Sequence, residues 1–338
     1  MVGFALKLAE RRPKAPEAAL LGLLRGVPLL PGTEKSWPEV CALAEAHLVA
    51  PLLHAVAPDL PAGAREQLGK LRTAAQAEWR WQQSALLRVT GALEGTGALV
   101  IHAGAYAEDF YPAPELRPIR ELDLLIAPSR TFSTLERLSR KGYRIEERPE
   151  KGWLALRLRD PREARVVVNL RRGFAPPAGS RPHDASAGPE PEVKSALAVG
   201  GLCLRAEGSR LHPDDAILVH ALALAEDELR APLLAVVDLA HLFRRCDPSV
   251  VVGRARKAKV LPQLGMAFLL LERCVAAARR FGGVDVDIAR IPRVHLDVSP
   301  EIDRAVDQFE LSGEPARAGA LTQVARALRL VAPRKGVE

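Results

Sequence analysis

The segment LRPIRELDLLI, residues 116–126, decides how this chain is read. Its alternation has the period of a strand, with Leu122, Leu124 and Ile126 on one side and Glu121, Asp123 and Leu125 on the other. Two carboxylates therefore share a face. At positions i and i+2 their Cβ atoms lie about 6 to 7 Å apart. That is near enough to reach one divalent cation, and too near for two unpaired charges in a dry site. The alternative is a solvated strand face on which the acids pair with neighbours such as Arg117 and Arg120.

Just before this segment, ALVIHAG (98–104) reads as a buried strand and turn, and residues 105–111 as a short helix. After it, residues 129–141 read as an N-capped helix closed by Gly142. Three strand candidates follow, at 143–148, 153–159 and 165–170. Residues 96–210 thus form an α+β domain with a small mixed sheet. Residues 1–95 are a helical region. Within it Ser36 is an N-cap candidate, with Pro38 and Glu39 in the first turn, and 62–94 is one long helix or two in tandem. Trp79 and Trp81 are two positions apart and cannot share a helical face; packing between domains suits them better than base stacking. Residues 173–192 are rich in Pro, Gly, Ala and Ser and read as a surface loop. Beyond a short strand at 202–205, residues 211–338 are a second helical region, with helices at 214–225, 231–245, 249–259 and 262–281, and weaker ones near 301–311 and 314–331. No internal repeat of fixed period is present.

A chain of 338 residues, 48% apolar and 26% charged, is long enough for two or three folded domains. The formal charge of +7 is spread over both halves. This disfavours nucleic acid as a partner and suits an anionic ligand such as a nucleoside triphosphate. The four cysteines, Cys41, Cys203, Cys246 and Cys274, include no CxxC pair, so neither a zinc knuckle nor a disulfide framework is signalled. No apolar run suits a signal peptide or a membrane span, which makes a cytoplasmic location the expectation.

Together, VIHAGAYAEDFYP (100–112) and LRPIRELDLLI, with GY at 142–143, LHPDDAILVHALAL at 211–224 and LLAVVDLAHLFRR at 233–245, resemble the uncharacterised nucleotidyltransferase family of bacteria. This is a distant branch of the DNA polymerase beta-type superfamily, and the resemblance runs from about Trp37 to about Phe281. It implies a nucleotidyltransferase-like sheet domain flanked by N-terminal and C-terminal helical regions. It further implies two Mg²⁺ ions, held by three carboxylates, that align an acceptor hydroxyl on the α-phosphate of a nucleoside triphosphate. Carried onto this chain, Glu121 and Asp123 are the catalytic metal ligands and Gly104 opens a helix whose N–H groups face phosphate. Arg117 either neutralises phosphate charge or braces its loop.

Four departures stand out. Ala103 replaces the family's lysine, and Glu121 replaces an aspartate. The third carboxylate, expected near VVVNL, gives way to Val167 and Asn169, and the next helix has His220 one position off with Ala223 in the other place. Asp238 matches a family aspartate and suits a structural brace. His102 is a core or rim side chain, or else a base. Arg171 and Arg172 either flank a triphosphate or fill the space of a missing metal, while Glu163 or Glu192 is a substitute acid. His183 and Asp184 belong to the loop. The leading expectation is a Mg²⁺-dependent nucleotidyl transfer to a hydroxyl on a small molecule or protein. The alternatives are a catalytically degenerate binding or scaffolding protein with a partner protein and, less favoured, a basic RNA-binding protein.

Overall fold

The computed structural model describes residues 15–27, 36–57, 59–146, 154–174, 197–199, 202–226, 232–275 and 278–291. The helices expected near 301–311 and 314–331, the loop from 175 to 192 with His183 and Asp184, and Glu192 fall outside these residues. The described residues begin with α1 (Ala15–Leu24), α2 (Trp37–Ala46) and α3 (Ala50–Val56). Next comes α4 (Ala62–Ala92), a single helix of 31 residues and not a tandem pair. Ser36 stands at the N-cap of α2 without a side-chain capping bond. On α4, Trp79 is buried and Trp81 is 41% exposed. The Trp81 ring carries the Arg165 guanidinium 5.1 Å from its centre.

The sheet domain follows as β1 (Leu99–Ile101), α5 (Ala103–Phe110), β2 (Glu121–Leu125), α6 (Thr131–Arg140), β3 (Arg144–Ile145), β4 (Ala155–Arg159) and β5 (Val167–Arg171). A short ribbon of β6 (Leu197–Val199) and β7 (Leu202–Leu204) leads to β8 (Ala206–Glu207) and β9 (Arg210–Leu211). Seven strands make one mixed sheet in the order β3-β4-β5-β2-β1-β9-β8. At its centre β2 runs parallel to β5 and antiparallel to β1. Leu122, Leu124 and Ile126 are almost fully buried, as the alternation requires. The start of α6 differs from expectation, because a 3-10 turn at Pro128–Arg130 takes up Ser129 and leaves Arg130 at the N-cap. Its end agrees with expectation. Gly142 has φ +87, and the N–H groups of Gly142 and Tyr143 donate to the carbonyls of Ser139 and Leu138.

Four helices complete the described chain: α7 (Pro213–Glu226), α8 (Leu233–Arg245), α9 (Pro248–Lys257) and α10 (Leu261–Val275). The helix expected to reach residue 281 stops at Val275, and a hairpin of β10 (Arg280–Phe281) and β11 (Val284–Asp285) takes its place. Gly282 and Gly283 supply the positive φ values, +58 and +85, that a two-residue hairpin turn needs. A Cβ at Gly282 would stand 2.6 Å from Val237 Cγ1. The N–H of Gly282 donates to the Leu24 carbonyl, which ties the hairpin back to the end of α1. One continuous apolar cluster runs from α1 through the sheet to the hairpin. Among the described residues no helix is long and apolar enough to cross a membrane.

Candidate functional site

The sheet register builds the site. Asp123, in the middle of β2, lies beside Asn169 of β5 on one side and Ile101 of β1 on the other. Arg157 of β4 lies beside Asn169. One row across the face therefore reads Asp123, Asn169, Arg157, with Glu121 two residues before Asp123. Asp123 Oδ1 accepts from Asn169 Nδ2 at 2.8 Å and from Arg171 Nε at 3.4 Å, and Oδ2 lies 3.4 Å from His102 Nδ1. Burial alone would push the Asp123 carboxyl up, but His102, Arg171 and Asn169 together hold it below its ordinary value. It is therefore a partly buried, ionised carboxylate with a partner on each oxygen. Glu121 accepts from an Arg157 guanidinium nitrogen at 2.8 Å. Burial pushes its carboxyl up and the Asp123 charge adds to this, against the pull of Arg157. Arg171 also reaches Glu226, at the end of α7, at 2.5 Å.

This donor set does not fit the two-metal arrangement. Mg²⁺ requires near-octahedral oxygen ligands at about 2.0 to 2.1 Å. Here each strand acid is taken by a guanidinium, and the position beside Asp123 holds a neutral amide that donates its own hydrogen to the carboxylate. Among the described residues no three His, Cys, Asp or Glu side chains are grouped to hold a metal ion. Arg171 thus stands next to Asp123, within reach of its carboxylate.

Gly104 has a role that spacing alone did not reveal, and Arg117 has one of the two expected of it. The positive φ at the start of α5 belongs to His102 (φ 52, ψ −132), not to the glycine. A side chain in that region is strained by roughly 1 to 3 kcal/mol. The geometry aims the His102 carbonyl at the N–H groups of Ala105 and Tyr106, both at 3.0 Å. Gly104 is needed for packing. A Cβ there would meet Val100 Cγ1 at 3.0 Å and come near Leu86 and Leu122, so the glycine lets α5 lie close against the sheet. The N–H groups of Ala103 and Gly104 belong to the first turn, which has no helical carbonyl for them. Arg117 braces its loop. Its Nε and one terminal nitrogen grip the fully buried Asp238 at 3.2 and 2.6 Å, and its other terminal nitrogen donates to the Pro118 carbonyl. Burial works against the Arg117 charge, but Asp238 overcomes it and raises the guanidinium further. Tyr111 adds its O–H to Asp238 at 2.7 Å, so Asp238 is the structural brace its position suggested.

A second cluster lies behind Asp123. His220 of α7 bonds the Ala235 carbonyl through Nε2 at 2.8 Å, and its ring centre is 5.9 Å from those of His102 and Tyr106. Burial lowers His220 to about 4, so it is neutral at pH 7. Phe174 sets its ring edge against His102 at 6.1 Å and lies under the Arg171 guanidinium at 5.2 Å. Four buried atoms here have no hydrogen-bond partner among the described residues: His102 Nε2, Tyr106 Oη, Asn169 Oδ1 and His220 Nδ1. Sequence reasoning missed Arg157, Tyr106 and Glu226. Only for Arg157 was there a signal, in the alternation of ALRLR.

A mixed sheet with a carboxylate strand at its centre, a close-packed helix after β1 and a helical region on either side defines a nucleotidyltransferase-like protein. The model of the family described as "Uncharacterised nucleotidyltransferase" matches residues 33–276, well over half of the chain, and the chain belongs to that family. No curated protein and no solved structure matches it.

Proposed function

We propose that this protein binds a nucleoside triphosphate at the Asp123 face without a divalent metal ion, a nucleotidyltransferase fold in which an arginine replaces the cation. The observation that carries this reading is the contact of Arg171 with Asp123 beside Asn169, where the family's chemistry calls for a third carboxylate. A guanidinium supplies positive charge and a planar fork for phosphate oxygens. The first-turn N–H groups of Ala103 and Gly104 add the donors of a helix N-terminus.

A second reading, Mg²⁺-dependent nucleotidyl transfer to a hydroxyl with Glu121 and Asp123 as the ligands, is favoured by their sharing one face of β2. It requires both arginine pairs to open. Titration calorimetry of ATP, GTP, CTP and UTP, each with Mg²⁺ and with chelator, separates the two. The metal-free reading expects binding that survives chelator and weakens at least tenfold in Arg171→Gln. Binding seen only with Mg²⁺ and lost in Asp123→Ala supports the transferase, and no binding of any triphosphate overturns both.

A further inference from the structure

We propose that the open cavity where α8 turns into α9 is a second ligand site, and that it takes a small phosphate-bearing anion, a phosphate monoester or a diphosphate. The cavity has a volume of about 740 Å³ and is lined by Arg244 and Arg245 from the end of α8, by Asp247 and Ser249 at the start of α9, and by Arg290 from the 3-10 turn Ile288–Arg290 that follows β11. That volume lies in the range of small-molecule pockets, roughly 300 to 1,000 Å³. None of the residues around Asp123 lines it, and the proposal stands independently of the nucleotide reading.

The positive charge of this cavity is uncompensated. Many described arginines are matched with carboxylates, as Arg159 is with Glu146 and Arg210 with Asp109. Among the described residues Arg244, Arg245 and Arg290 make no ion pair, and Arg244 makes no hydrogen bond either. Asp109 gives its carboxylate to Arg210 and only its carbonyl to Arg245, at 2.5 Å. Arg290 donates to the Cys246 carbonyl at 3.4 Å. A guanidinium carries five N–H groups, so most of those on Arg245 and Arg290 stay open. Asp247, the one acid of the cavity, is engaged through Oδ1 as the cap of α9, where it accepts from the Ser249 hydroxyl and from the N–H groups of Ser249 and Val250. Three positive groups thus share one space with a single carboxylate, and such a field concentrates anions.

Two of the guanidiniums are also held in place. Arg245 lies over the Phe110 ring at 4.3 Å and Arg290 over the Phe243 ring at 6.0 Å. A ring and a carbonyl orient a guanidinium without neutralising it, which leaves its planar fork for phosphate oxygens. Burial lowers the Arg245 guanidinium, Asp109 pulls against this, and the Arg244 charge lowers it further. A bound anion relieves that repulsion between neighbours. Arginines in the last turn of a helix also complement its dipole. That accounts for Arg244 and Arg245, but not for Arg290, which reaches the same cavity from a turn 44 residues beyond Cys246.

The test is titration calorimetry of pyrophosphate, glycerol 2-phosphate and glutarate into the full-length protein, in chelator and at physiological ionic strength. The expected result is saturable binding of a phosphate probe and weaker or no binding of glutarate, a dicarboxylate. Tighter binding of pyrophosphate identifies a diphosphate as the recognised group, and equal binding of the two phosphates identifies a single phosphate. Arg244→Gln and Arg290→Gln, at exposed positions, should each weaken the phosphate probe at least tenfold, the loss expected when a charge-assisted hydrogen bond is removed. Arg171→Gln, on the Asp123 face, should bind it like the wild type. Should Arg171→Gln fail to fold, the backbone amides of Cys246 and Ser249 give the same information in the wild type, because a probe in this cavity shifts their NMR signals. The proposal is overturned if neither phosphate probe binds, if glutarate binds as tightly, or if Arg244→Gln or Arg290→Gln binds like the wild type. It is equally overturned if Arg171→Gln abolishes the binding or the two amides do not move, since the probe then sits on the Asp123 face. ATP binding in chelator, lost in Arg171→Gln alone, reports on the nucleotide reading separately.

Discussion

Asn169→Asp adds the third carboxylate that two-metal chemistry needs and tests the proposal that Arg171 and Asn169 keep metal out of the site. In the wild type, Asn169 Nδ2 donates to Asp123 Oδ1 at 2.8 Å. The substitution replaces that attraction with two carboxylates in the same space. At about 4 Å and an effective dielectric near 20, like charges repel by about 4 kcal/mol. The lost hydrogen bond to a charged group adds about 1.5 to 3 kcal/mol. Arg171, 3.4 Å from Asp123, offsets part of this, leaving a net destabilisation on the order of 3 to 5 kcal/mol. In a chain of this size each kcal/mol lowers the melting temperature by about 2 °C, so the variant should melt about 6 to 10 °C lower in chelator. Mg²⁺ should then restore stability, by about 4 kcal/mol at a thousandfold excess over its dissociation constant. The wild type should show no Mg²⁺ shift. Differential scanning calorimetry with and without Mg²⁺ reads both effects. A variant as stable as the wild type in chelator, or a wild type that Mg²⁺ itself stabilises, would refute the reasoning.

Other outcomes follow from individual contacts. Arg117→Leu leaves the Asp238 carboxylate buried and unpaired, and should destabilise by about 3 to 5 kcal/mol in urea unfolding; an effect below about 1 kcal/mol would remove Arg117 from its bracing role. His220 is lowered to about 4 from about 6.5 in the unfolded chain, so the unfolded state binds the proton first. The associated stability is fully present above pH 6.5 and is lost as pH falls toward 4, by about 3 kcal/mol. Unfolding free energies measured from pH 7 to 4 should show a loss smaller by about that amount in His220→Gln. Gly104→Val drives a branched side chain toward Val100, 3.0 Å from where its Cβ would stand, and should destabilise by about 1 to 3 kcal/mol through overpacking. A neutral result in chemical unfolding would return the glycine to a purely phosphate-facing role.

Much of the architecture was written locally. The alternation of ELDLL, the helical spacing from 62 to 92 and the glycine at 142 each draw on interactions within a few residues, and each predicted its element. The start of α6 was shifted by a local 3-10 turn, whereas the hairpin at 280–285 was missed because a distant partner decides it: Gly282 is held by α1 and lies against Val237. In the site, the sequence determined that Glu121 and Asp123 share a face, because side-chain alternation along a strand is fixed by the backbone. What the acids face was decided only by tertiary structure. Pairing β5 parallel to β2 sets Asn169 beside Asp123, β4 brings Arg157 to Glu121, and the close approach of α5 to the sheet swings His102 onto Asp123. These contacts span 21 to 46 residues of chain. No local pattern encodes such separations, because their partners are chosen by sheet order and by the burial that the whole fold secures.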